Sequence, residues 1–109
     1  PAGAAAHCCL MTDWLALLDE QTVTGEAMAR DVSAMLGNPD IGEGQVRALF
    51  SALETQADFA EKLRMALETF GHDFPVIEAA ERLEERYADL AAAVAEKLQA
   101  MRRADRPPG

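Results

Sequence analysis

Val76, Ala80, Leu83, Tyr87, Leu90, Val94, Leu98 and Met101 follow one another by threes and fours. No other feature constrains the fold as tightly. On a helical wheel they make one stripe about 100° wide, which predicts an amphipathic helix from about Phe74 to about Arg103. Pro75 suits the first helical position, and Asp73 brings a negative charge to the helix N-terminus. Pro107 and Pro108 cannot continue the helix. A helix this amphipathic must bury its stripe against other elements.

The same chain supplies the partners. Strong breaks at Gly37-Asn38-Pro39 and at Gly71-His72-Asp73-Phe74-Pro75 mark off two more helical stretches. The middle one starts near Asp40-Ile41-Gly42-Glu43, where Asp40 and Glu43 have capping-box spacing. Its apolar residues are Val46, Leu49, Phe50, Leu53, Ala57, Ala60, Leu63, Leu67 and Phe70. This broader stripe suits a helix with two neighbours, and Gly71 is a natural stop. The first stretch, about Asp13 to Leu36, keeps Trp14, Leu17, Leu18, Met28, Val32, Met35 and Leu36 in phase if one helix runs throughout. Thr22-Val23-Thr24-Gly25 interrupts it with poor helix formers. Continuity is favoured. It puts Gln21 and Gly25 on the stripe and turns Val23 away, with Gly25 permitting a close helix contact.

Strand signals are missing: no β-branched run alternates with period two, and no hairpin dipeptide joins such runs. The predicted fold is therefore all-α. Short connections between long helices give an antiparallel up-down-up bundle of three, which self-association would complete to four or more helices. The longer helices reach about 40 Å at 1.5 Å per residue. With 109 residues, half of them apolar, the chain suits one domain with a real core. That domain is expected over residues 12–103, between an N-terminal segment (1–11) and a flexible tail (104–109). Pro1–Leu10 precedes the first methionine, Met11, and reads as a cloning remnant or as the tail of something upstream.

Charge narrows the function. Thr12 to Ala100 holds 18 acidic and 7 basic residues, whereas Met101 to Gly109 holds three arginines and one aspartate. An acidic body argues against nucleic acid as a partner. Arg102 and Arg103 instead suit the C-terminal end of the last helix dipole. No apolar run is long enough to cross a bilayer, and no secretory leader precedes one, so a cytoplasmic protein without a membrane partner is expected. The two cysteines form no CxxC motif, which fits a reducing compartment.

Chemistry finds little support. His7, Cys8 and Cys9 are adjacent and lack the spacing of a structural zinc site. Glu68 and His72 are four apart, where a di-iron bundle uses Glu-x-x-His, and Glu78, Glu81 and Glu85 lie off the apolar stripe. Ser33 and Ser51 occupy no nucleophile elbow, and Gly42-Glu43-Gly44 is no phosphate loop. A closed three-helix core also offers no evident cleft. The expectation is a chain that is not an enzyme and uses no cofactor and no metal.

Binding remains. Leu15, Val23, Phe59, Met65 and Ile77 fall outside the stripes of regular helices. Isolated exposed apolar residues are ordinary, and the core edge can absorb Phe59 and Ile77. Phe59 and Met65 nevertheless extend the apolar surface of the central helix. The reading that follows is a small acidic adaptor, chaperone or inhibitor. It would dock another protein, or a second copy of itself as a homodimer, through these residues. The acidic face would steer a basic partner. The alternatives are a carboxylate-rich metal-binding bundle formed on dimerisation and an architectural domain of a larger parent.

Overall fold

A computed structural model describes residues 13–105. The segment preceding them, with His7, Cys8 and Cys9, and the last four residues lie outside the described part. The described residues form three α-helices packed on one another: α1 (Trp14–Leu36), α2 (Glu43–Thr69) and α3 (Phe74–Ala104). Among them there is no strand, and no helix is long and apolar enough to cross a membrane.

Helix α1 is continuous through Thr22-Val23-Thr24-Gly25. The local cost of these poor formers is met in two ways. The Thr22 hydroxyl donates to the Leu18 carbonyl at 2.8 Å, which satisfies it inside the helix. Gly25 is buried, and a Cβ there would lie 3.2 Å from Leu83 Cδ1 and 3.4 Å from the Tyr87 hydroxyl. The missing side chain lets α1 lie close against α3. At the start of α1, Asp13 accepts from the Ala16 amide at 3.1 Å, so the helix carries a side-chain N-cap.

The start of α2 differs from the expected Asp40–Glu43 capping box. The N-cap is Gly42, and its amide donates to Gln45 Oε1 at 3.2 Å. The Asp40 amide is instead taken up by Asn38 Oδ1 at 2.9 Å in the preceding turn. Once Asn38 holds Asp40 in that turn, the helix begins two residues later. At the other end α2 closes in a Schellman motif: the Gly71 amide donates to Glu68 O at 3.1 Å and the His72 amide to Leu67 O at 3.0 Å. Gly71 has φ +69°, in the region where only glycine is at ease. Pro75 sits in the second helical position of α3, behind Phe74, where its missing N–H costs no helical bond.

The core is a column of residues from all three helices. Val46, Leu53 and Leu67 of α2 and Tyr87 and Val94 of α3 have no exposed surface, and Leu18, Val32 and Met35 of α1 join them. Burying one such side chain contributes about 1.5–3 kcal/mol, so these contacts rather than helix propensity hold the fold. Tyr87 enters the core with its hydroxyl satisfied, donating to the Gln21 carbonyl at 3.0 Å. Burial pushes its phenol above the usual tyrosine range. Among the described residues, two buried amide oxygens, Gln21 Oε1 and Gln56 Oε1, have no hydrogen-bond partner.

Ion pairs lace the surface. Arg64 of α2 reaches Glu84 of α3 at 2.6 Å and Glu68 of its own helix at 2.8 Å. Its hydrogen bonds to Glu84 and then Glu68 push its ionisation further above its usual value, so the guanidinium stays charged. Arg102 reaches Glu43 at 3.4 Å. The Arg102–Glu43 pair is exposed and contributes little to stability, whereas Arg64 and Glu84 are partly buried between α2 and α3.

Candidate docking surface

The apolar residues left outside the core are the natural candidates for a site. Leu15 is 47% exposed, Val23 65%, Phe59 40% and Met65 51%. Ile77 stands apart from them: it is half-buried and packs on the core cluster, as the core-edge alternative allows. The other four do not form one surface. Phe59 and Met65 are six residues apart on α2, which separates them by about 120° around the helix. Val23 projects from the outer side of α1, in a shallow depression with Asp19, Glu20, Gln21 and Thr24. Leu15 lies at the N-terminal end of α1.

That end gathers residues the periodicity had assigned elsewhere. Phe70 fits the α2 stripe in sequence yet is 64% exposed. It is the C-cap of α2, where the chain leaves the helix for the left-handed Gly71, three residues past the last buried residue of the helix, Leu67. Trp14 covers one side of it, with ring centroids 5.7 Å apart and planes inclined by 23°. Phe74, the first residue of α3, is 70% exposed. At the other end of α1, its last residue Leu36, also on the stripe, is 43% exposed. The sequence did hold a signal for the two phenylalanines. They flank a chain reversal, Phe-Gly-His-Asp-Phe, Phe70 at the very end of the α2 stripe and Phe74 ahead of the α3 stripe that begins at Val76.

Charge is distributed as unevenly as the aromatics. Residues 13–29 and 65–81, which flank this turn end, contain neither lysine nor arginine. They contain eight carboxylates: Asp13, Asp19, Glu20, Glu26, Glu68, Asp73, Glu78 and Glu81. Two cations reach in from outside, Arg64 to Glu68 and Arg82 to Glu78, the latter at 2.6 Å. The opposite end is close to balanced. There Arg30, Arg47, Lys97, Arg102 and Arg103 accompany Asp31, Asp40, Glu43, Glu96 and Asp105.

The expected lack of a cleft needs correction. An open groove of about 540 Å³ runs between α1 and α3, with Thr22, Glu26, Ala79, Leu83, Arg82 and Arg86 among its walls. The Thr22 hydroxyl in its wall is committed to Leu18 O, and its carboxylates alternate with arginines. Among the described residues, no group of three or more His, Cys, Asp or Glu side chains is placed to hold a metal ion. Glu68 is paired with Arg64, and His72 is half-buried in the turn. No protein-family model matches the chain, and no curated protein or solved structure matches it.

Proposed function

We propose that this chain is a non-enzymatic protein–protein interaction module, a small acidic helical adaptor, chaperone or inhibitor. It docks a partner through apolar side chains that its own core leaves exposed. The observation that carries this reading is the exposure of Leu15, Val23, Phe59 and Met65, together with Phe70 and Phe74, on helices whose cores are otherwise complete. Large apolar side chains held in water favour burial against another surface. The carboxylates around them select for a basic partner by steering and by repelling acidic competitors. The partner is another protein or a second copy, in a cytoplasmic setting.

The scaffold is an up-down-up bundle. Its support is the pairing of residues far apart in sequence. Trp14 stacks on Phe70 at one end, and Arg64 pairs with Glu84. Glu43 pairs with Arg102 at the other end, and Tyr87 bonds Gln21 between them.

Native mass spectrometry and affinity capture from the source cells test the proposal. The unaltered chain is expected to carry a defined second protein or a second copy. Aspartate at Leu15, Val23, Phe59 and Met65, introduced singly, should remove it in at least one case. Mass and capture unchanged in all four variants, and in Phe70→Asp and Phe74→Asp, would overturn the proposal.

A further inference from the structure

Granting the docking role proposed above, we infer that the turn end of the molecule is the docking site, and that its occupant is a cationic polypeptide segment carrying apolar anchors beside lysine or arginine. Four large apolar residues belong to it: Trp14 and Leu15 open α1, Phe70 caps α2 and Phe74 opens α3, with Trp14 stacked on Phe70. Phe70 and Phe74 are among the most exposed apolar side chains described. The backbone under them is fixed. Schellman bonds from Gly71 and His72 hold the turn, and the Trp14 ring braces Phe70 from α1. Rings presented on a rigid turn lose little freedom when a partner arrives, which favours binding.

Charge chooses among occupants. The flanks of this end, residues 13–29 and 65–81, have eight carboxylates and no lysine or arginine of their own; Arg64 and Arg82 pair with Glu68 and Glu78, which leaves six of the eight without an ion pair among the described residues. Two turn ends brought face to face would therefore repel, which disfavours a second copy. The chain's own N-terminal twelve residues contain no lysine or arginine either, so they lack the complement. A cationic segment satisfies both halves of the surface. Its apolar anchors cover the rings, its ammonium or guanidinium groups face Asp73 and its neighbours, and a cation over a ring face is itself favoured.

Trp14 is the only tryptophan and stands in the site, so its emission reports directly on occupancy. The full chain is titrated with a synthetic leucine–lysine peptide patterned as an amphipathic helix. The controls are a scrambled peptide of the same composition and a leucine–glutamate twin. The expected result is a saturable change in Trp14 emission with the patterned peptide that weakens as salt rises. Phe74→Asp alone, and Phe70→Asp with Phe74→Asp, should weaken binding by at least about tenfold, as loss of an anchoring aromatic does. Ala48→Asp, at an exposed position near the start of α2, should leave it unchanged. Helical circular dichroism shows that each variant is folded.

Equal binding of the scrambled peptide, or full binding by Phe74→Asp, overturns the inference. So does a dimer of the unaltered chain that Phe74→Asp dissociates, because the second copy is then the occupant. So does a change in Trp14 emission when residues 1–12 are removed without peptide, because that segment is then the cover. If the peptide fails while Phe59→Asp or Met65→Asp still abolishes partner capture, docking stands and only this placement falls.

Discussion

The waist of the bundle and its turn end use similar side chains to opposite effect. At the waist, Gly25 of α1 meets Leu83 and Tyr87 of α3, and the tyrosine has no exposed surface. At the turn end, Phe70 and Phe74 are 64% and 70% exposed. The rings are of nearly equal size. What differs is what stands opposite them. A glycine across the seam lets Tyr87 close against α1 and give its hydroxyl to the Gln21 carbonyl. Among the described residues, nothing at the last turn of α2 covers Phe70 fully: it stays 64% exposed with Trp14 stacked on it. An aromatic residue therefore belongs to the fold or to the surface according to its level along the bundle, even when its helical phase points inward.

The comparison breaks most visibly at Tyr87. Tyr87→Ala removes a fully buried ring and its hydrogen bond, and is expected to cost about 3–5 kcal/mol. That is a large part of the roughly 5–15 kcal/mol that holds a domain of this kind folded. Chemical denaturation followed by circular dichroism measures it as a lower midpoint. A loss below about 1 kcal/mol would mean that Tyr87 is not the residue closing the seam.

Gly25 tests the same seam from the other side. A Cβ there would sit 3.2 Å from Leu83 Cδ1, so the longer side chain of Gly25→Leu is expected to push α1 away from α3. The expected cost is about 1–3 kcal/mol, as for other overpacked positions. Leucine is a better helix former than glycine by roughly 0.8 kcal/mol, so any net loss measures the packing conflict against that gain. A Gly25→Leu chain as stable as the parent would show that the two helices are not seated at this spacing.

Phase was the part of this fold that could be read from sequence. The stripe from Val76 to Met101 located α3 to within a residue of its end, and the breaks at Gly37 and Gly71 separated the helices. Phase also placed Gly25 on the buried side of a continuous α1 and Val23 on its outer side, where Val23 is 65% exposed. Level along the bundle was the part that could not. Phe70 and Leu36 are in phase with the core but sit at helix ends, beyond the last full layer. Ile77 is out of phase, yet it packs on the core where α3 enters beside its neighbours. The α2 cap depended on which of several nearby polar groups would win, since Gln45 takes Gly42 while Asn38 takes Asp40. The aromatic, carboxylate-rich end emerged only when three separate segments were brought together.

The finest form of the comparison is a substitution expected to do almost nothing. Phe74→Asp removes a ring as large as that of Tyr87, but one already 70% in water. Surface changes of this kind usually stay within about 0.5 kcal/mol. An acidic residue in the first turn of α3 also favours the helix dipole by about 0.3–1 kcal/mol, which offsets the small apolar burial that the ring provides. Stability should therefore be unchanged or slightly higher, measured by the same denaturation that registers the collapse of Tyr87→Ala. A loss above about 1 kcal/mol would mean that the ring is covered in the free chain, because an uncovered side chain has little packing to lose. The two substitutions thus separate an aromatic the fold depends on from one it leaves available for contact.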